Sequence, residues 1–295
     1  MVAGNSGPQA GVVRGMTPAI ERVGVFAPWP ELAAYGAELP DLAAELEQLG
    51  YGALWASVAQ ADLGIAEPIL GATKEFVFAT GIVNIWTESP AELISAFHAS
   101  PYRDRLLLGI GAGHRERNTG QGYSTPKTAI GEYLDKLTDI PAAQLVLAAL
   151  GPRMLELAAR RTAGAHPYLV VPEHTAAARE ILGAGPLLAP EQKVVLETDP
   201  ATARAIARKR VVPYLGLENY VANFRRFGFG EQDFAEGGSD RLIDALVVWG
   251  GEEAITRRVR AHLDAGADQV AVQVLTGDGE PRSAYRALAP ALTAL

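Results

Sequence analysis

Three short stretches carry residue types that could do chemistry. Leu107-Leu108-Gly109-Ile110-Gly111-Ala112-Gly113-His114 sets three glycines at alternate positions and then an imidazole. Glycine leaves main-chain N–H groups bare and tolerates φ > 0, so such a turn can wrap an anion or a flat ring. The third glycine is misplaced for a dinucleotide fingerprint, and a plain strand-to-loop turn fits the same residues. Leu150-Gly151-Pro152-Arg153-Met154 opens a helix, with Pro152 in the first turn, where its missing N–H costs nothing. The unpaired N–H groups there, with Arg153, form an anion site; a plain turn with a solvated arginine reads from the same residues. Ala79-Thr80-Gly81-Ile82-Val83-Asn84 puts glycine inside an apolar run, the mark of a bulge or a close approach. Asn84 can both donate and accept, which suits the polar edge of a heterocycle, or it can be solvated at a strand end.

His114 is the first candidate for moving a proton, because an imidazole titrates near neutrality; it also fits a surface loop. Glu197 is a second acid–base candidate. His98 lies on an expected helix and reads as structural, and His166 and His174 have no partner visible in the sequence. Trp29, Trp86 and Tyr123 could wall an apolar substrate pocket, whereas Trp55 sits inside a strand and reads as core. There is no cysteine, no histidine pair at helical spacing and no carboxylate cluster of metal type, so no metal is expected.

Elements that could position these groups are legible. Short apolar runs alternate with amphipathic helices, the signal of parallel βα units. Eight strands are expected: Val23–Phe26, Ala53–Ala56, Phe76–Val83, Leu106–Ile110, Leu145–Leu150, Tyr168–Val171, Lys193–Glu197 and Val270–Leu275. Each is apolar nearly throughout, as when both faces are covered. Gly50 stands where a helix C-cap belongs, Ser89-Pro90-Ala91-Glu92 reads as a capping box, Asp199-Pro200 opens a helix, and Gly266 closes one. About seventy residues separate the last two strands, against roughly thirty for a minimal βα unit. The segment Ala201–Arg260 must therefore hold extra helices, with a mobile stretch expected near Phe229–Ser239.

Eight strands in this order predict a (β/α)₈ TIM barrel with a helical insertion between strands seven and eight, a doubly wound open sheet being the alternative. A barrel of this kind carries its site at the C-terminal ends of the strands, where all three motifs fall. Residues 1–20 read as a loose tail and 21–295 as one barrel. With 48% hydrophobic residues, 20% charged and a formal charge of −8 over 295 residues, a large core is expected and a nucleic-acid partner is not. No apolar run is long enough for a membrane span, and a cytoplasmic enzyme is expected. Arginine and alanine usage suggests a high-GC bacterial source.

Taken together, the three motifs resemble the luciferase-like flavin and deazaflavin oxidoreductases, and within them the actinobacterial branch dependent on coenzyme F420. The resemblance runs from about Val23 to the C-terminus. It implies a non-prolyl cis peptide near Gly81-Ile82, behind the cofactor ring. It further implies that Asn84 contacts the ring edge, that Gly111, Ala112, Gly113 and His114 wrap the ribityl-phosphate side, and that Gly151, Pro152, Arg153 and Met154 close on the phosphate. Ser57, Thr80, Gly81, Ile82 and Leu150 complete the implied cofactor set. The cofactor would be coenzyme F420, with FMN as the alternative, serving a hydride transfer or a monooxygenation; a barrel that binds the ligand without turnover is a third reading. A homodimer is also implied. The sequence departs from many family members after strand two, where Ser57-Val58-Ala59-Gln60 offers neither an acid nor a histidine.

Overall fold

The computed structural model describes residues 17–114 and 125–295. Eleven strands run parallel: β1 (Val23–Pro28), β2 (Ala53–Ser57), β3 (Val77–Thr80), β4 (Val83–Asn84), β5 (Leu106–Gly111), β6 (Leu145–Leu147), β7 (Gly164–Ala165), β8 (Leu187–Leu188), β9 (Glu191–Val195), β10 (Val247–Trp249) and β11 (Val270–Val274). Their order is β10-β9-β11-β1-β2-β3-β5-β6-β7-β8. β8 and β9 are two halves of one extended run, interrupted only at Ala189-Pro190. That run pairs with β7 along its lower half, and the Glu191 N–H donates to the Pro167 carbonyl at 2.8 Å. Its other edge carries β11, so the sheet returns on itself. β3 and β4 are likewise one strand in two pieces. The result is the expected (β/α)₈ barrel, with β10 added from the insertion against the upper half of β9.

Side chains alternate as a pleated strand requires. On β2, Ala53 and Trp55 face the lumen with Phe26, Val77, Leu107 and Val146, while Leu54 and Ala56 join the layer beneath the helices. The helix signals act as read. Gly50 takes φ +92° after the helix Leu39–Gln48, and Gly266 takes φ +98° after Glu252–Asp264. Ser89 Oγ accepts the Glu92 N–H and Asp199 Oδ2 accepts the Thr202 N–H, so both cap their helices.

Two expectations change. Strand six is Gly164–Ala165, not Tyr168–Val171. Pro167 has no N–H to continue the ladder, and Leu169 turns the chain at φ +56°. Its N–H instead meets Glu191 Oε2 at 3.1 Å, and Val171 is already the N-cap of the helix Pro172–Leu182. The stretch Phe229–Ser239 is tied to a buried carboxylate. Asp233 accepts from the Gly230 N–H, the Ser239 hydroxyl and Arg241, so this part of the insertion has its own polar centre. The helices Pro200–Val211, Glu218–Arg226 and Asp240–Leu246 pack around Phe224, Leu242 and Leu246 and lean over the C-terminal end of the barrel.

Candidate functional site

At the break in strand three the Gly81-Ile82 peptide is cis, where the resemblance put it. On the side of β5 the ladder pauses between Ala79 and Val83, and the Thr80 hydroxyl takes its place. It donates to the Gly109 carbonyl at 3.0 Å and accepts the Gly109 N–H at 2.7 Å. Thr80 is fully buried, so it holds the strand from below rather than facing the mouth. Gly109 has no room for a side chain: a Cβ there would lie 2.0 Å from the Thr80 carbonyl oxygen. Gly111 is bare for a related reason. Its open side is filled by Ile82, whose carbons would lie 2.7 and 2.8 Å from an added Cβ. Of the three glycines only Gly113 takes a positive φ, at +56°. The motif is therefore a strand of close approaches with one turn residue at its end.

Above these contacts a ledge of small or half-exposed residues crosses the rim from strand three to strand five. It contains Gly81, Ile82 and Asn84, then Ala112, Ala148 and Gly151. Asn84 Oδ1 accepts the Trp86 N–H at 3.1 Å, leaving its amide N–H groups directed elsewhere. Trp86 is drawn back onto the ledge, its indole N–H donating to the Ala112 carbonyl at 2.8 Å. At the far end Gly151 is the N-cap of the helix Pro152–Arg161, with Leu150 before it and Met154 in the first turn. Arg153 is exposed. The Arg226 guanidinium lies against the helix start: a Cβ on Gly151 would be 3.4 Å from it. Arg226 comes from the insertion, and no local motif points to it. A guanidinium against a helix start is an arrangement that can hold an anion such as a phosphate monoester.

The centre of the mouth is aromatic. His114 sits against Tyr220 at 5.5 Å and against the edge of Tyr214 at 6.2 Å. Tyr214 also meets Tyr168, ring to ring at 5.4 Å and hydroxyl to hydroxyl at 3.4 Å. Thus the insertion closes the barrel axis with two tyrosines, and a planar group on the ledge would lie beside them. Trp29 does not join this wall. It is buried edge-on against Phe78, because the helix Trp29–Ala34 begins at once and turns the indole inward. Ser57 is half-buried at the end of β2, and the next residue, Val58, is 71% exposed at φ +56°. Glu197 Oε1 accepts the Thr198 and Asp199 N–H groups, so this carboxylate organises its own turn. Tyr123 lies outside the described residues.

Beneath the tyrosines the lumen holds buried polar groups that the motifs do not announce. Lys193 and Glu191, both without exposed surface, pair at 3.0 Å. The Lys193 ammonium lies 3.6 Å from the centroid of the Tyr168 ring. Burial lowers the lysine's affinity for its proton and raises the carboxyl's, each opposed by the partner. His166 stacks on Trp55 at 4.0 Å and 10°, and its Nδ1 bonds the Ala189 carbonyl at 2.6 Å. Burial holds its pKa down to about 4, so the ring is neutral and Nδ1 is the donor. His174 is similarly held at about 4, with Nε2 on the Leu150 carbonyl next to that helix start. One sequence signal could have found the ion pair: two charged residues two apart on a strand share a face.

No family model matches this chain, and no curated protein does. Solved structures do. An F420-dependent secondary alcohol dehydrogenase, in complex with an F420–acetone adduct, superposes with a TM-score of 0.69 at 14% identity, over 93% of this chain and 99% of that one. The F420-dependent tetrahydromethanopterin reductase from Methanopyrus kandleri gives 0.62 at 17% identity, over 92% and 98%. The oxygenating constituent of 3,6-diketocamphane monooxygenase from Pseudomonas putida, with FMN, gives 0.63 at 15% identity, over 92% and 96%. At these identities the likeness is one of fold.

Proposed function

We propose that this chain is an oxidoreductase of the luciferase-like class, in the F420-dependent branch, passing a hydride between a deazaflavin and a small organic substrate. The observation that carries the reading is the Arg226 guanidinium set against the helix start at Gly151, at one end of a half-exposed ledge. The residues fit the group: a phosphate-bearing tail would take the helix start, and a flat ring would take the small residues from Gly81 to Ala112. A bound deazaflavin supplies a carbon centre that gives or takes two electrons as hydride.

The chain's own residues do the rest. Arg226, with Arg153 in the first turn of the helix, would hold the tail by charge-assisted bonds and so limit how far the ring reaches along the rim. Ile82, locked against Gly111, gives the ring a rigid backing. Asn84 keeps its amide donors for the ring edge, since its carbonyl oxygen is held by the Trp86 N–H. Tyr214 and Tyr220 wall the site from the barrel axis and exclude water. His114, lodged against both tyrosines, is the group placed to hold and move the proton. The three sequence motifs support the F420-dependent branch, and similar structures bound to F420 or FMN support a cofactor of this general kind.

The test is a fluorescence titration of the purified protein with coenzyme F420 and, separately, with FMN. Micromolar binding of F420 with much weaker binding of FMN is the expected result. Tight FMN binding, with oxygen uptake by its reduced form, would select a monooxygenase instead. Failure of both to bind would end the proposal.

A further inference from the structure

A chamber of about 160 Å³ lies outside the barrel, between the outer faces of β1 and β2 and the helices Trp29–Ala34, Leu39–Gln48 and Arg282–Leu292. Its walls are apolar, formed chiefly by Leu32, Leu42, Leu46, Leu54 and the ring of Tyr285. It opens to solvent on one side, and an apolar space of about this size accepts a benzene-sized guest. The charged groups lining it are Glu31 and Glu280, both acidic. Glu31 is shared with Arg210 by an ion pair, whereas Glu280 takes part in none among the described residues. The neighbouring Arg282 is bonded to Glu45, as is Arg286. The chamber shares Glu31, Gly279 and Pro281 with a polar cleft of about 400 Å³ at the end of β11, which gives a way in from solvent.

We infer that this chamber is a binding site for a small organic cation, a primary amine with a compact apolar body. The body would occupy the space among the leucines. The ammonium would stay at the lip, with Glu280 as its main partner and Glu31 as the second. A carboxylate of the same shape would meet the Glu280 carboxylate, unpaired among the described residues, and a neutral analogue would gain the apolar contacts alone. The site stands on the far side of the strand wall from the rim of strands three to five and is independent of the proposed redox reaction.

Calorimetric titration with benzylamine, benzyl alcohol and benzoate tests it, because the three share one shape and differ in charge. Benzylamine is expected to bind roughly tenfold tighter than the alcohol, and benzoate more weakly than either. Glu280→Gln should bring benzylamine down to the affinity of the alcohol without changing the alcohol's. Ala34 lines the chamber from an exposed position, so Ala34→Phe should block all three ligands while the fold survives. Equal binding of the three, preference for benzoate, absence of binding, or full benzylamine affinity in Ala34→Phe would each overturn the inference.

Discussion

The rim over strands three to five and the lumen beneath strands six to eight are built from opposite materials. The rim is main chain and small side chains: Gly81, Gly109 and Gly111 let neighbouring groups approach, and one threonine hydroxyl carries the strand across its break. The lumen is crowded with Trp55, His166, Tyr168, Glu191 and Lys193, in which every charge is answered by another buried group. The ledge residues of the rim are half-exposed, whereas Trp55, His166, Glu191 and Lys193 of the lumen are buried with the tyrosines above them.

If the rim depends on close approach, adding one methyl should ruin it. Gly109→Ala would drive a carbon into the Thr80 carbonyl, and loss of more than about 3 kcal/mol in urea unfolding is expected. A loss below about 1 kcal/mol would mean that the two strands separate easily and that the comparison fails on the rim side.

The lumen should break differently, through charge. Lys193→Met leaves Glu191 buried without its partner, at a cost of about 3 kcal/mol at neutral pH. Burial already raises the Glu191 carboxyl. The folded variant therefore binds a proton more readily than its unfolded chain, and its stability falls as pH rises through the carboxylate range. Lys193→Met combined with Glu191→Leu should recover most of the loss and abolish that dependence. Equal losses in the single and double variants would show that packing, not charge, organises the lumen.

A smaller effect separates the two regions by acid. His166 is held neutral to about pH 4, while an unfolded histidine takes up its proton near pH 6.5. The unfolded chain therefore gains protons first, and stability drops as pH falls from about 6.5 towards 4. His166→Phe keeps a ring on Trp55 and should remove about 2–3 kcal/mol of that pH dependence. An unchanged slope of denaturation midpoint against pH would place the acid-sensitive groups elsewhere.

The same contrast decides what could be read beforehand. Rim features are local in sequence: a glycine in an apolar run, a Gly-Pro helix start, a capping serine. Their positions along the chain are legible, but the contact of Gly111 with Ile82 is not, because Ile82 belongs to another strand. Strand six slipped because Tyr168–Val171 looks like a strand by composition, while Pro167 and the bond from Leu169 to Glu191 turn it away. Arg226, Tyr214 and Tyr220 reach the site from an insertion far along the chain, and only the folded barrel brings them over strands four to six. The tie of Phe229–Ser239 to Asp233 was hidden because one buried carboxylate gathers partners from several turns.

The central claim is that an anionic cofactor tail is held where Arg226 meets the helix start at Gly151. A crystal structure of the protein with coenzyme F420 would locate that tail directly. Its phosphate should sit on the start of the helix Pro152–Arg161 within hydrogen-bond reach of the Arg226 guanidinium, with the ring along Ile82 and Asn84. A phosphate found instead in the cleft beside β11, over Lys209, would contradict the account.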